Sequence, residues 1–269
     1  MVTVVVAAFL SSGLREALER EGFSYLDARG HLHLLSPGGV IHLEGAERSS
    51  KKAETGQLGV HGVRVVQVLL AQEAAVSVSE LAKQANASVG QAHRVLTLLE
   101  KQGLVRSSGR GPQKRRDVRE RTLLLDWLEQ QPPATRREPS LDVALYARRP
   151  EELWLKTSTK LSTAGVGHAL TGAAAAGLYG VGPTSVPISL IRISPEVSLA
   201  QAAALMGAEV TERGANLALL KDTGGVGCWG AKEKDGIQVA PAVRVYLDAR
   251  SARRGEDIAR QFREVALGY

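Results

Sequence analysis

A chain of 269 residues with a formal charge of +6 and a pI near 9.6 has room for two or three domains, each with its own core. The positive balance points to a polyanionic partner, and the single cysteine, Cys228, excludes an intramolecular disulfide or a cysteine-rich zinc site and fits a reducing cytosol. The apolar start MVTVVVAAFL lacks a basic leader and is far shorter than the roughly 20 residues that span a bilayer, so a soluble cytoplasmic protein with no membrane partner is expected.

Residues 14–20 alternate apolar and charged side chains at helical spacing. The stretch 23–44 then reads as short strands with turns at Ala28-Arg29-Gly30 and Ser36-Pro37-Gly38-Gly39. A small α+β module is predicted over 1–48. From Glu47 to Gly59, with Ser49, Ser50, Lys51, Lys52 and Gly56, the chain reads as a linker. A helical block and a basic stretch follow over 59–130, ending in a short helix with Leu123, Leu124, Trp127 and Leu128 on one face. Pro132, Pro133 and Pro139 mark a second linker. Over 140–269 the pattern predicts an Ala/Gly-rich helix at 163–179, a strand at 186–194, a helix at 199–206, a strand at 215–221 and a C-terminal helix at 255–266. The expected class is α+β multidomain: a small N-terminal α+β module, a central winged helix-turn-helix and a C-terminal mixed α/β domain.

The central domain is specified most closely. A first helix near 60–71 buries Val63, Val65, Val66, Leu69 and Leu70. Ser77-Val78-Ser79-Glu80 has the form of a capping box that opens a short second helix, with Leu81 and Ala85 inward. After the turn Asn86-Ala87, Ser88-Val89-Gly90-Gln91 is a second such box and opens a third helix. Its inner face is expected to carry Val89, Ala92, Val95, Leu96 and Leu99. Ser88, at the cap, and Gly90, Gln91, His93, Arg94 and Thr97, on the outer face, are left for double-stranded DNA. Gln and Arg side chains reach adenine and guanine edges, Ser, Thr and a helix N-terminus suit phosphate, and Gly90 permits close approach. Beyond Gly103 a β-hairpin wing with Gly109-Arg110-Gly111-Pro112 at its tip would set Arg106, Arg110, Lys114, Arg115, Arg116 and Arg119 along phosphates, against Asp117 alone.

The segment SVSELAKQANASVGQAHRVLTLLEKQGLV resembles the winged helix-turn-helix of bacterial regulators. GFSYLDARGHLHLLSPGGVIHLEG near the start, LTGAAAAGLYG in the middle and VAPAVRVYLDARSARRGEDIARQFREVAL at the end resemble the AbiEi-like antitoxin and transcriptional-regulator family. That resemblance implies a repressor of a type IV toxin-antitoxin operon whose winged helix binds inverted repeats at its own promoter, while a separate C-terminal domain neutralises the toxin's effect. The partners it leaves open are a toxin or another protein on the C-terminal domain and a second copy of the chain on DNA.

Catalysis is not expected. Asp27 and Glu44 have the look of a nuclease carboxylate pair, but Ala46 stands where a lysine is needed, and Asp27 reads as a turn residue bonding nearby amides. His31, His33 and His42 lie on neighbouring strand segments, with His31 and His33 on one face, and read as satisfied or solvated rather than as metal ligands. The run Asp222-Thr223-Gly224-Gly225-Val226-Gly227 lacks the Lys-Ser/Thr of a phosphate loop and reads as a turn, and Cys228 has no activating partner. Arg250, Arg253, Arg254, Arg260 and Arg263 alternate with acids as on a solvated helix face. No cofactor and no metal are expected. A protein-interaction module with incidental DNA affinity is the alternative of a different class.

Overall fold

The computed structural model describes residues 3–7, 10, 12–28, 30–43, 58–131, 138–182, 186, 188–252 and 255–269. Arg29, Glu44, Ala46, the linker from Glu47 to Gln57, Pro132, Pro133, Arg253 and Arg254 lie outside the described residues. The chain divides into two units, 1–55 and 56–269.

In the first unit β1 (Val4–Ala7), α1 (Ser12–Arg20), β2 (Ser24–Asp27), β3 (Leu32–Ser36) and β4 (Gly39–Leu43) form a sheet in the order β1-β2-β3-β4. β1 pairs parallel with β2 across α1, and β2, β3 and β4 run antiparallel. The apolar start is thus a strand, which sequence reading left unassigned. Asp27 is the expected turn residue: its carboxylate accepts from the amides of Leu10 at 3.3 Å and His31 at 3.1 Å. Leu10 and Tyr25 are the buried apolar side chains described in this unit, while Val6, Val40, Ile41 and Leu43 are exposed.

The second unit opens with α2 (Val60–Leu70), β5 (Val76–Ser77), α3 (Val78–Gln84), α4 (Val89–Lys101), β6 (Val105–Ser108), β7 (Arg115–Val118) and α5 (Arg121–Glu129). Val65, Val66, Leu69, Leu81, Leu96, Leu99, Leu124 and Leu125 close its core. A three-stranded sheet, β5-β7-β6, contains the wing hairpin and the two-residue β5, too short to register in the sequence. Two expected faces shift. Val89 is 55% exposed because periodicity gives its direction, but at the first position of α4 no described core residue packs over it. In α5, Leu123 is exposed and Leu125 is buried in its place.

The remainder builds a seven-stranded mixed sheet in the order β11-β8-β12-β10-β9-β14-β13. Its elements are β8 (Ser140–Ala144), α6 (Pro150–Thr163), β9 (His168–Thr171), α7 (Gly172–Gly177), β10 (Ser189–Ile193), α8 (Leu199–Met206), β11 (Glu209–Val210), β12 (Leu217–Lys221), β13 (Lys232–Lys234), β14 (Ile237–Val239), α9 (Ala242–Ser251) and α10 (Glu256–Phe262), which ends in a π turn over Arg263–Leu267. The helix expected over 163–179 is instead the end of α6, then β9, then the short α7. All four β9 residues are buried between β10 and β14, and Gly172 turns the chain at φ +65°, so tertiary pairing overrides the helical preference of the alanines. α6 carries Pro150 at its start, acids in its first turn and a buried stripe of Leu153, Trp154 and Leu161.

One buried cation organises the sheet. The Arg192 guanidinium, 1% exposed, meets Asp248 at 2.8 Å, Glu138 at 2.9 Å and Asp222 at 3.3 Å. Asp222 also accepts from the amides of Gly227 and Cys228, so the glycine-rich run is a turn folded over a carboxylate. A Cβ on Gly227 would lie 2.2 Å from Arg192 Cδ, which is why that position is bare.

The winged helix is held to the sheet at two places. Three successive carbonyls at the end of α3 receive donors from elsewhere: Gln84 from the Trp229 indole at 2.7 Å, Ala85 from Arg64 Nε at 2.5 Å, and Asn86 from Arg64 Nη2. A helix leaves its last carbonyls without partners, and here α2 and the sheet supply them. Arg64 Nη1 also donates to Gly224 at 2.5 Å. At Gly224, φ +83°, a Cβ would meet Val60 at 2.5 Å. The second place is α5: Asp126 pairs with Arg263 at 2.7 Å, and Glu129 with Arg250 at 2.6 Å and the Tyr246 hydroxyl. Arg263 is therefore a half-buried clamp, contrary to the solvated face expected, whereas Arg250 stays exposed while it pairs with Glu129, and Arg260 lies exposed, paired with Asp257.

A cavity of about 410 Å³ lies beside the first joint, lined in part by Gln67, Trp229 and Tyr179. Gln67 is 4% exposed, and among the described residues neither atom of its carboxamide has a hydrogen-bond partner. A buried amide without partners costs about 1–3 kcal/mol. Gln67→Met should therefore raise stability by about 1 kcal/mol in urea unfolding; a loss of that size would show that the amide is satisfied in solution.

Candidate nucleic-acid interface

Both capping boxes form as read. Ser77 Oγ accepts from the Glu80 amide at 3.2 Å while Glu80 accepts from the Ser77 amide at 2.9 Å; Ser88 Oγ accepts from the Gln91 amide at 3.2 Å while Gln91 Oε1 accepts from the Ser88 amide at 3.1 Å. Asn86 turns the chain between the helices at φ 44°, a conformation that asparagine tolerates better than most side chains. These local bonds fix where α4 begins and which of its faces looks outward.

On that face Ser88, Gly90, His93 and Arg94 are exposed, Gln91 is half-buried by its cap, and Thr97 is half-buried one turn on. Gly90, His93, Arg94 and Thr97 stand three or four apart and share one side of the helix. Arg94 reaches back to the Gly90 carbonyl at 3.3 Å, a weak bond that leaves its guanidinium facing solvent. No atom lies within 4 Å of where a Gly90 Cβ would be, so the fold does not require a glycine there. Its smallness matters only to something that approaches from outside.

The wing cations divide by partner. Arg106 pairs with Asp117 at 2.6 Å and Arg115 with Glu80 at 3.2 Å, both on the surface. Lys114, half-buried, meets Glu100 at 3.0 Å. Arg116 meets Glu100 at 2.6 Å and is 3% exposed. Its placement removes it from the phosphate-facing set assigned from the sequence: β7 lies between β5 and β6, and alternation along the strand turns this side chain inward onto α4. Arg110 and Arg119 are exposed, and among the described residues neither has an acidic partner. Sequence reading set Asp117 alone against the cluster. It missed Glu80 and Glu100, which lie 35 and 16 residues from their arginines and meet them only through the fold.

Burial would raise the Glu100 carboxyl, but the bonds from Arg116 and Lys114 outweigh it and hold it below the usual range. At Asp248, burial is likewise outweighed by the Arg244 and Arg192 guanidinium groups and the Thr171 hydroxyl, and the carboxyl sits well below that range. A lowered folded pKa contributes stability that is complete above the unfolded value, about 4, and is lost as pH falls through the folded one. Buried His168, held below the usual imidazole range by desolvation, adds the opposite case of a group that must stay neutral in the fold, so stability also falls as pH drops below the unfolded histidine value of about 6.5. The melting temperature should therefore be nearly level between about pH 8 and 7, decline modestly below about pH 6.5 and drop progressively below about pH 4. A melting temperature that stays level down to about pH 3 would show that neither His168 nor the paired carboxylates govern acid stability.

With this geometry in place, residues 60–109 match the IclR helix-turn-helix domain. The chain carries an IclR-type helix-turn-helix, followed by a β-hairpin wing. The matched span runs from α2 through β6 to the wing tip and lies within the expected 59–130. It supports DNA binding and transcription regulation, and does not extend to the AbiEi-like antitoxin assignment. Neither curated proteins nor solved structures give a match. Among the described residues no helix is long and apolar enough to cross a membrane.

Proposed function

We propose that the protein is a sequence-preferring double-stranded DNA-binding transcription regulator that acts by binding, without turnover, in the cytoplasm. The exposed face of α4, with Gly90, His93 and Arg94, and the exposed Arg110 and Arg119, which have no acidic partner among the described residues, carry this reading. α4 enters the major groove, the N-terminal half of its outer face meets base edges, and the wing follows the phosphates. Repression of its own promoter as a dimer on inverted repeats, and an antitoxin-type role with a toxin or another protein on the C-terminal part, rest on the family resemblance.

The test is an anisotropy titration against a duplex from the gene's own upstream region and a scrambled duplex. Wild type should prefer the upstream duplex. Arg94→Ala should cost about 1–3 kcal/mol and narrow that preference, whereas Arg110→Ala/Arg119→Ala should weaken both duplexes alike. The slope of log affinity against log salt should become shallower by about 0.9 for each phosphate contact removed. Wild-type binding to neither duplex at moderate salt would transfer the reading to a protein-interaction module.

A further inference from the structure

The N-terminal unit contains a side-chain cluster that DNA binding does not use. β3 and β4 pair His33 directly with His42, and α1 brings Glu19 over the same spot. His33 Nδ1 and His42 Nδ1 are 3.2 Å apart, His42 Nδ1 and Glu19 Oε1 are 3.8 Å apart, and all three ligand atoms lie within 4.8 Å of one another. His31, the histidine that strand alternation groups with His33, is buried elsewhere against Arg15. We propose that Glu19, His33 and His42 bind one divalent transition-metal ion, zinc being the ion that fits best.

The separations suit the ion. Two ligands at 2.0–2.1 Å from a tetrahedral zinc lie roughly 3.3 Å apart, so small side-chain adjustments close the triangle and leave a fourth position for water. Two imidazoles and a carboxylate are borderline ligands that favour zinc over magnesium or calcium. The ligands are oriented from behind: the Tyr25 hydroxyl donates to Glu19 Oε1 at 2.6 Å, and the Tyr25 ring stacks on His33 with centroids 5.6 Å apart. Such outer contacts fix a ligand's direction in known metal sites.

The unit also has a structural use for an ion. Among its described residues Leu10 and Tyr25 are the buried apolar side chains, and units of this size commonly depend on a metal, a disulfide or a partner. Here the ligands join α1 to the β3–β4 hairpin, so binding energy becomes folding energy for the unit.

The deciding experiment is calorimetric titration of zinc chloride into the EDTA-treated full chain. Wild type should take up one ion, and His42→Ala and Glu19→Gln should each weaken it at least tenfold. Both positions are partly exposed, so these variants keep the fold, which circular dichroism checks. His33→Ala is left out because His33 stacks on Tyr25. Zinc should also slow tryptic cleavage within residues 3–43 in wild type and not in His42→Ala. Absence of a saturable one-to-one site, affinity changed less than tenfold in both variants, or wild-type cleavage indifferent to zinc would each overturn the assignment.

Discussion

Arg192→Met is expected to destabilise the unit formed by 56–269 by about 3–5 kcal/mol, the usual cost of removing one partner from a buried ion pair. The methionine fills most of the volume, so little of the loss comes from a void. What remains is Asp222, Asp248 and Glu138 facing one another with their shared cation gone. Arg244 still reaches Asp248 at 2.5 Å, and backbone amides still reach Asp222, so the loss should fall short of complete unfolding. Chemical unfolding of both proteins at pH 7 measures it. A difference under 1 kcal/mol would mean that the carboxylates take up protons or water readily, and that the sheet does not depend on this cation. Arg192→Lys should recover only part of the loss, because one ammonium cannot present donors to three carboxylates in the plane of a guanidinium.

The second large effect is expected at Arg64. Arg64→Met strips donors from the carbonyls of Ala85, Asn86 and Gly224, and charged hydrogen bonds of this kind contribute about 1.5–3 kcal/mol each. Shared relaxation makes the three less than additive, so a loss of about 3–5 kcal/mol is expected. Trp229→Phe removes a single indole bond to Gln84 and should cost about 0.5–1.5 kcal/mol. If Arg64→Met costs no more than Trp229→Phe, the turn between α3 and α4 holds itself together, and its link to the sheet is incidental.

The helix-turn-helix was legible because its determinants are local. Ser77 with Glu80, and Ser88 with Gln91, are bonds between residues three apart, and the burial of Ala92, Val95, Leu96 and Leu99 follows from helical spacing alone. The strands β2, β3 and β4 were marked by the glycine turns that separate them. What sequence reading missed is set by contacts between distant residues. β9 looks helical until β10 and β14 enclose it, and Arg116 looks like a phosphate contact until Glu100 is brought beneath it. Arg64 gives no signal at all, since a cation inside a helix is ordinarily a surface residue. Its role exists only because the end of α3 and the Gly224 turn converge on it. For the same reason Glu19 could not be joined to the histidines: nothing in its spacing from them tells that α1, packed on β2, brings its carboxylate within reach of His33 and His42.

The second capping box has a consequence for the chemistry of base reading. A glutamine distinguishes adenine by presenting its carbonyl oxygen and its amino group together to the base edge. In α4 the Gln91 oxygen is turned back to the Ser88 amide, so the carboxamide cannot offer both ends outward while the cap holds. On the DNA-binding reading proposed above, the helix start and base recognition would compete for one functional group, and an adenine recognised through Gln91 would cost a loosened first turn. Under that proposal base selectivity would shift toward Arg94, whose acceptors of choice are on guanine, and the expected operator would be richer in guanine than the glutamine alone would imply.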